Sequence, residues 1–224
     1  MKAVSRCLVH LKPDLFLVFD RVETDGPGKA EWRYHAAFVD PMTPANRFTV
    51  FGYQTAAEPM RDRSSSYDQA FTKQADASCR VAFLTPGVKA SVHTTDVYYR
   101  WSPFSRPPRH LKVVQQGDGP MTLLTAFGPK ISVRPQGNTY RFTLNEASGT
   151  VIVGGGSAGG LESDAHLAVA VDRPGAGQVE LVRFGGSRLA YQGTAIDSAA
   201  EDVYAVFQRG KPVRTVETSK NAAR

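Results

Sequence analysis

The sequence contains few cysteines. Cys7 and Cys79 are the only two in 224 residues, and each lies in a run of alternating apolar and polar residues. A free cysteine in such a run is most often a small buried hydrophobic residue. A disulfide would require the two Cα atoms to lie within about 7 Å, and a metal site would require further ligands close in space, so the sequence leaves both alternatives open.

Long hydrophobic runs are also absent. No stretch approaches the roughly 18 apolar residues of a membrane helix, and residues 1–11 lack the apolar core and the small-residue cleavage site of a signal peptide. We therefore expect no membrane partner. An export signal of a longer precursor would lie ahead of Met1, and the protein would then be periplasmic or secreted. The sequence alone leaves the localisation unknown.

Motifs that mark common catalytic and metal sites are missing as well. There is no Gly-x-Ser-x-Gly elbow, and the histidines show none of the close spacings that bring two imidazoles to one metal. For His35, which follows Trp32-Arg33-Tyr34, the sequence favours a sheet-face histidine bonded to a backbone carbonyl. We predict no catalytic residue, no metal site and no cofactor. The histidines are His10, His35, His93, His110 and His166.

One glycine-rich segment matches a cofactor motif by its letters alone. Residues 154–159, Gly-Gly-Gly-Ser-Ala-Gly, fit the dinucleotide pattern GxGxxG and follow an apolar run. A dinucleotide-binding turn must open a helix that crosses back to a parallel strand. Only residues 161–166 separate the glycines from the next apolar run, which is too short for that helix. The segment is predicted to be a hairpin loop.

Short runs of alternating apolar and polar residues are the main signal that the chain does contain, while helical periodicity is almost absent. Each run is closed by Gly, Pro, Asn or Asp, which is typical of half-buried strands. Turn sequences at residues 25–28, 135–138 and 172–175 predict hairpins, so most neighbouring strands are expected to be antiparallel. The predicted strands are residues 4–11, 15–22, 31–39, 47–52, 78–84, 90–93, 97–101, 111–115, 121–127, 131–133, 140–144, 150–153, 167–171, 179–184, 189–191 and 203–209.

Regular spacing of so many short strands predicts an all-β fold, an antiparallel, multi-stranded β-sandwich of stacked sheets. The main sandwich portion is placed at residues 1–153. Residues 154–216 supply further strands of the same sheet or of a small second sheet, and residues 217–224 form a frayed tail.

The charge of the chain is positive, at +6, and its cations are mostly arginine, with 18 Arg against 9 Lys. Arginine binds carboxylate, sulfate and phosphate groups through two parallel hydrogen bonds, so this composition suits an anionic partner. No dense basic stripe or known recognition module points to nucleic acid. Arginines spread over a solvated sheet face remain the alternative.

Aromatic and basic residues alternate at residues 97–101, and basic residues continue into the proline-rich connection 102–110. Sugar rings stack on Tyr and Trp, while Arg binds their carboxylates or sulfates. Strand alternation places Tyr99 and Trp101 on one face and Arg100 on the other, so at most half of the cluster can face a ligand. Ordinary strand packing is the alternative. The predicted substrate-binding residues are Tyr99, Arg100, Trp101, Arg106 and Arg109.

Asp20 is the most notable acidic residue. It interrupts the apolar run of residues 15–19 and is followed at once by Arg21. This pattern favours a structural Asp–Arg pair at the end of a strand over a general base.

The N-terminal third resembles a known family. Three strings, Arg6 to Asp14, Phe16 to Val22 and Trp32 to His35, are similar to the β-sandwich of heparinase II/III-like polysaccharide lyases. There an arginine-led strand is followed by a buried strand ending in Asp-Arg and by a strand ending in an aromatic residue and His. Leu123 to Pro129 resembles the family's strand with a proline-bounded turn, so the resemblance covers about residues 4–130.

The resemblance implies an α/α-toroid that supplies Tyr and His catalysts, followed by stacked β-sheets that act on acidic, uronate-containing polysaccharide by β-elimination. No helical toroid is expected here, and the family's metal motifs lie upstream of the matching part; the nearest string, His93-Thr94-Thr95, is misplaced. No catalytic or metal-binding residue is therefore carried over. The chain is expected to be inactive alone, with the toroid as a partner, and a non-catalytic glycan-binding or structural module is the alternative.

Overall fold

The computed structural model describes residues 2–12, 15–36, 38–42, 46–54, 72–94, 109–128, 132–143, 147–196, 198–208 and 210–218. These residues form four antiparallel sheets, so the predicted all-β class is confirmed. Across these ranges the helical structure amounts to one turn of 3-10 helix, Pro174–Ala176. None of them forms a helix long and apolar enough to span a membrane.

The chain divides into two compact units, residues 1–8 with 16–129 and residues 9–15 with 130–224. The first half of the chain supplies β1 to β9. Their bounds are Ala3–Leu11, Leu15–Glu23, Pro27–Ala36, Phe38–Met42, Arg47–Gln54, Thr72–Phe83, Ala90–Thr94, Arg109–Asp118 and Met121–Gly128. They form a six-stranded sheet of order β1-β2-β9-β6-β5-β4 and a three-stranded sheet of order β3-β8-β7.

The core of the first unit lies between these two sheets. Along β3 the even-numbered residues Ala30 and Trp32 are buried, whereas Arg33 and His35 on the other face are exposed. Trp32 packs with Leu111 of β8 and with residues of the larger sheet such as Leu123. Because successive side chains of a strand point to opposite faces, one face of β3-β8-β7 belongs to the core and the other carries polar groups.

The second half of the chain supplies β10 to β20. Their bounds are Ser132–Gln136, Thr139–Thr143, Ser148–Val153, Gly156–Ala158, Leu161–Ser163, Leu167–Arg173, Gln178–Phe184, Leu189–Tyr191, Thr194–Ala195, Asp202–Gln208 and Lys211–Thr218. A seven-stranded sheet has the order β10-β11-β12-β15-β16-β19-β20, and a four-stranded sheet has the order β13-β14-β17-β18. Their facing sides share one core, which includes Ile152, Leu161, Leu181, Tyr191 and Phe207.

The turns follow the sequence at two of three predicted positions. Residues 135–138 join the paired strands β10 and β11, and residues 172–175 lie between the paired strands β15 and β16. The hairpin predicted at residues 25–28 is wrong, because β2 and β3 lie in different sheets. That turn carries the chain from one sheet to the other, and turn residues alone do not specify which strands then pair.

The glycine-rich segment is a hairpin, as predicted. Gly156–Ala158 pairs antiparallel with Leu161–Ser163, and the turn between them is made by Gly159 and Gly160, with φ of +58° and +82°. Both values lie in the left-handed region that glycine adopts without steric cost. This confirms the rejection of a dinucleotide-binding turn.

Neither Cys7 nor Cys79 forms a disulfide, and each is partly exposed rather than fully buried as the alternating runs suggested. Burial raises the pKa of the Cys79 thiol. The protonated thiol is the unreactive form, so Cys79 behaves as a structural residue.

Candidate functional site

The predicted sugar-binding residues lie largely beyond the described part of the chain. Tyr99, Arg100, Trp101 and Arg106 fall in residues 95–108, which the structure does not describe. The backbone of Arg109 is described and opens β8, where it lies opposite Ala36 of β3 and Thr94 of β7. The binding role of all five residues therefore stays a prediction, and the described part of the site begins where this segment joins the sheet.

Three histidines lie side by side at that end of the sheet. His35 of β3 is the register partner of His110 of β8, which is in turn the partner of His93 of β7. The ring centroids of His35 and His110 are 5.3 Å apart, and those of His93 and His110 are 5.6 Å apart. The three imidazoles thus form one row across three strands on the outer face.

The next rung of the same face is basic. Arg33 of β3 lies opposite Lys112 of β8, and both contact the carboxylate of Glu31. The Arg33 Nε is 2.5 Å from Glu31 Oε1, and the Lys112 Nζ is 3.0 Å from Oε2. These bonds, first from Lys112 and then from Arg33, lower the pKa of Glu31 to about 2. Two cations therefore share one carboxylate, and the rung keeps a net positive charge.

We call His35, His93, His110, Arg33 and Lys112 the histidine face. His110 is only 5% exposed, and it lies between the other two rings. Burial lowers the pKa of its imidazole, and the charges of His35, Arg33, His93 and Lys112 lower it further. The centre of the row is therefore neutral near pH 7, and protons are taken up only as the pH falls.

The histidine face suits an anion better than a metal cation. Among the described residues, no group of three or more His, Cys, Asp or Glu side chains is arranged to hold a metal ion. The Nε2 of His93 is already 2.8 Å from the hydroxyl of Ser91. Arg33 and Lys112 would also repel a divalent cation, whereas both donate hydrogen bonds to carboxylate or sulfate groups.

Sequence reasoning missed this row because the histidines lie far apart along the chain. His35 lies on the sheet face, as predicted, and its ring packs beside that of His110. The missing information was the pairing register of β3, β8 and β7, since a shift of one residue would move the histidines to opposite faces. The one signal available was that each of the three histidines falls on the polar side of the alternation in its own strand.

Asp20 has a different partner from the one predicted. Its carboxylate binds Arg6, while Arg21 binds Glu23 instead. Adjacent residues of a strand point to opposite faces, so Arg21 cannot reach the side of β2 on which Asp20 lies. The structural role predicted for Asp20 agrees with this contact, but the partner comes from the neighbouring strand β1.

Tyr34 is the one phenol near Asp20 in the described structure, and its phenol is not a candidate general base. Its hydroxyl lies 3.2 Å from Thr125 Oγ1 and 3.4 Å from Asp20 Oδ2. Burial, and then the charge of Asp20, help to raise the pKa of Tyr34 to about 12. The phenol therefore stays protonated near neutral pH. Its contacts join β3 of the smaller sheet to β2 and β9 of the larger sheet, so the role of this cluster is structural.

Comparison with known proteins adds no family. No protein-family model matches the chain, and no curated protein matches it. The resemblance to heparinase II/III-like lyases therefore stays a prediction.

Proposed function

We propose that this chain is the β-sandwich portion of a heparinase II/III-like lyase and that it binds acidic, uronate-containing polysaccharide through the histidine face. The observation that carries the proposal is the row of three imidazoles beside Arg33 and Lys112 on one outward sheet face. The catalytic Tyr and His of such an enzyme would come from an α/α-toroid, so this chain by itself is inactive.

The chemistry of the histidine face fits a polyanion. Arg33 is 55% exposed in its side chain, while the carboxylate that it binds is 22% exposed. A carboxylate or sulfate of the ligand can therefore approach the guanidinium from the solvent side without displacing Glu31. Polymers that carry one anionic group on each sugar would contact the basic rung and the histidine row together, which adds weak interactions along one chain.

The chain positions of the predicted aromatic and basic residues support the same location. Residues 95–108 connect β7 to β8, and the pair Thr94 and Arg109 at their two ends is the rung next to His93 and His110. A sugar bound at the histidine face would thus lie beside Thr94 and Arg109, between which Tyr99 and Trp101 fall in the sequence.

A non-catalytic glycan-binding module is the second candidate. Glu31 favours it, because the bonds from Lys112 and Arg33 lower the pKa of this carboxylate to about 2 and make it a poor base for the proton abstraction that starts a β-elimination. In that case the same histidine face binds the polysaccharide, and no lyase chemistry is associated with it.

The test is a binding titration of the full chain with heparin, alginate and polygalacturonate. We expect Arg33→Gln/Lys112→Gln to weaken binding about tenfold, since two charged donors are lost, and we expect added salt to weaken it further. The matched control is Lys211→Gln/Arg214→Gln on β20, which removes the same charge from exposed positions of the other unit. Trp101→Ala and Arg109→Ala test the adjoining segment.

Equal losses in the two double variants would contradict a specific site on the histidine face. The same samples are assayed for unsaturated uronic products by ultraviolet absorbance. Product formation that disappears in His93→Gln would contradict an inactive sandwich. The absence of binding to every uronan would favour a purely structural module.

A further inference from the structure

Two arginines of the second unit lie directly opposite each other. Arg134 of β10 and Arg141 of β11 are register partners, and both are exposed. Within the described residues neither side chain has a hydrogen bond or an ion pair. Like charges directly opposite on neighbouring strands destabilise a sheet, with Cβ atoms only about 5 Å apart. An anion between them would remove that cost.

A polar cleft of about 350 Å³ adjoins Arg141. This volume lies within the range of about 300–1,000 Å³ that is usual for small-molecule sites. Its floor is the face of the seven-stranded sheet along β11, β12 and β15, and one side is closed by Tyr191 of the smaller sheet. The polar residues that line the cleft are Arg141, Thr143, Ser148, Thr150, Asp172 and Tyr191.

The cleft exists because the smaller sheet covers only part of the larger one. Thr150 of β12 lies opposite Ala170 of β15, and Ala170 packs in the shared core with Tyr191. Beyond Thr150, toward β11 and β10, the same face is open. The turn between β13 and β14 ends the cover, and a Cβ on its Gly159 would be 2.7 Å from Thr150 Oγ1. Glycine at this position thus sets the rim of the cleft.

The groups in the cleft match a sugar with one acidic substituent. Arg141 offers a planar pair of donors to a carboxylate, and the hydroxyls of Thr143, Ser148 and Thr150 can each donate or accept. Asp172 accepts hydrogen bonds from ligand hydroxyls. Burial, and then the charge of Asp172, raise the pKa of Tyr191, so its phenol remains a donor. An inorganic anion would be repelled by Asp172 and has no hydroxyl groups to bind the remaining polar residues of the cleft.

We propose that this cleft is a saccharide-binding site for a uronic acid residue, with its carboxylate between Arg134 and Arg141 and its hydroxyls on Thr150 and Asp172. The site lies in the second unit and is separate from the histidine face. It stands whether or not the histidine face binds polysaccharide, because it uses none of the same residues.

The test is a titration of the isotopically labelled full chain with a galacturonic acid tetrasaccharide, followed by backbone amide chemical shifts. We expect the amides of Arg141, Thr150 and Asp172 to shift. Arg141→Gln should lower the affinity measured from these amide shifts about tenfold. Arg214→Gln, an exposed arginine on β20 at the other edge of the same sheet, should change it less than about twofold.

Three outcomes would overturn the proposal. One is the absence of shifts at the cleft amides, and another is an equal loss of affinity in Arg141→Gln and Arg214→Gln. The third is equal binding of neutral cellotetraose. A κ-carrageenan tetrasaccharide, which carries sulfate but no carboxylate, is the control that separates the two kinds of anion, and it is expected to bind more weakly than the galacturonic acid tetrasaccharide.

Amide shifts also keep the two binding proposals distinguishable. Shifts at Arg33 and His110 without shifts at Arg141 would overturn the cleft and leave the histidine face standing. Shifts at Arg141 and Thr150 without shifts at Arg33 and His110 would overturn binding at the histidine face and leave the cleft standing. Because Arg141 is exposed, its replacement by Gln is expected to leave the fold intact, and thermal unfolding of each variant checks this.

Discussion

The guanidinium of Arg6 holds both oxygens of the Asp20 carboxylate, with Nε 2.5 Å from Oδ1 and Nη2 3.0 Å from Oδ2. The two side chains differ in their surroundings, because Asp20 is 2% exposed and Arg6 is 61% exposed. The pair also raises the pKa of Arg6, first through the hydrogen bond to Asp20. Asp20 is therefore the partner that depends on the pair, since its charge has no access to water.

This asymmetry predicts different costs for the two halves of the pair. Arg6→Met leaves a buried carboxylate without its cation and should lower the free energy of unfolding by about 2 kcal/mol. Asp20→Asn leaves only an exposed guanidinium and should cost about 1 kcal/mol. Urea unfolding at pH 7 measures both. The double variant should resemble Asp20→Asn, and equal costs for the two single variants would contradict this account.

Arg183 is fully buried and has no carboxylate partner among the described residues. Its Nη1 donates to the Ser187 carbonyl at 2.6 Å, and its Nη2 donates to the carbonyls of Ala200 and Ser198. These carbonyls belong to the loops before β17 and β19, so Arg183 ties two loops to β16. Its Nε is buried without a hydrogen-bond partner.

Arg183→Met should therefore lower the free energy of unfolding by about 3 kcal/mol, because the carbonyls of Ser187, Ser198 and Ala200 lose the donor that ties their two loops to β16. Arg214→Met is the control at an exposed arginine on the same sheet and should stay within about 0.5 kcal/mol. Chemical unfolding of the two variants measures the difference. An unchanged stability in Arg183→Met would show that water replaces the guanidinium at these carbonyls.

Asp164 is an exposed residue whose carboxylate binds the loop of residues 185–188. Its Oδ1 accepts hydrogen bonds from the backbone N–H groups of Ser187 and Arg188, at 2.8 and 2.7 Å. Burial raises the pKa of Asp164, but the bonds from Arg188 and Ser187 outweigh this and lower it to about 2. The ionised carboxylate is therefore the form that stabilises the fold.

We expect Asp164→Asn to lower the free energy of unfolding by about 1 kcal/mol at pH 7, a modest value because the group is exposed. A lowered folded-state pKa gives stability that is present above the unfolded pKa of about 3.9 and is lost as the pH falls toward the folded value. The cost should thus shrink between about pH 4 and pH 2. A cost that stays constant over this range would contradict the assignment.

The histidine face predicts that polysaccharide binding strengthens in acid. Protonation of His110 adds positive charge beside Arg33 and Lys112 as the pH falls below about 6.5, the ordinary pKa of an imidazole. Because the pKa of His110 is lowered, this residue is protonated below that value, and ligand binding would raise its pKa again.

The affinity for polygalacturonate at pH 5.5 should exceed that at pH 7.5 at least about threefold at constant ionic strength. The triple variant His35→Gln/His93→Gln/His110→Gln should lose this pH dependence and keep the salt dependence that Arg33 and Lys112 supply. Calorimetric titrations at the two pH values measure both effects. An unchanged pH profile in the triple variant would place the ligand elsewhere.

The all-β fold class follows from local features of the sequence. Alternation places Trp32 and Leu111 inward and Arg33 and Lys112 outward, and glycines with positive φ, such as Gly137, mark the hairpins. These signals are local, because the side-chain direction of a strand repeats every two residues whatever the strand pairs with. The same rule explains why Asp20 and Arg21 do not pair although they are adjacent in sequence, since their side chains point to opposite faces of β2.

Which strands pair with each other depends on long-range packing. The turn sequence at residues 25–28 is typical of a hairpin, yet β3 pairs with β8, far along the chain. That pairing assembles the histidine row, and the pairing of β10 with β11 places Arg134 opposite Arg141. Register depends on the burial of whole sheets against each other, which is a property of long-range packing. No run of neighbouring residues encodes it, so both proposed binding sites became visible only in the folded chain.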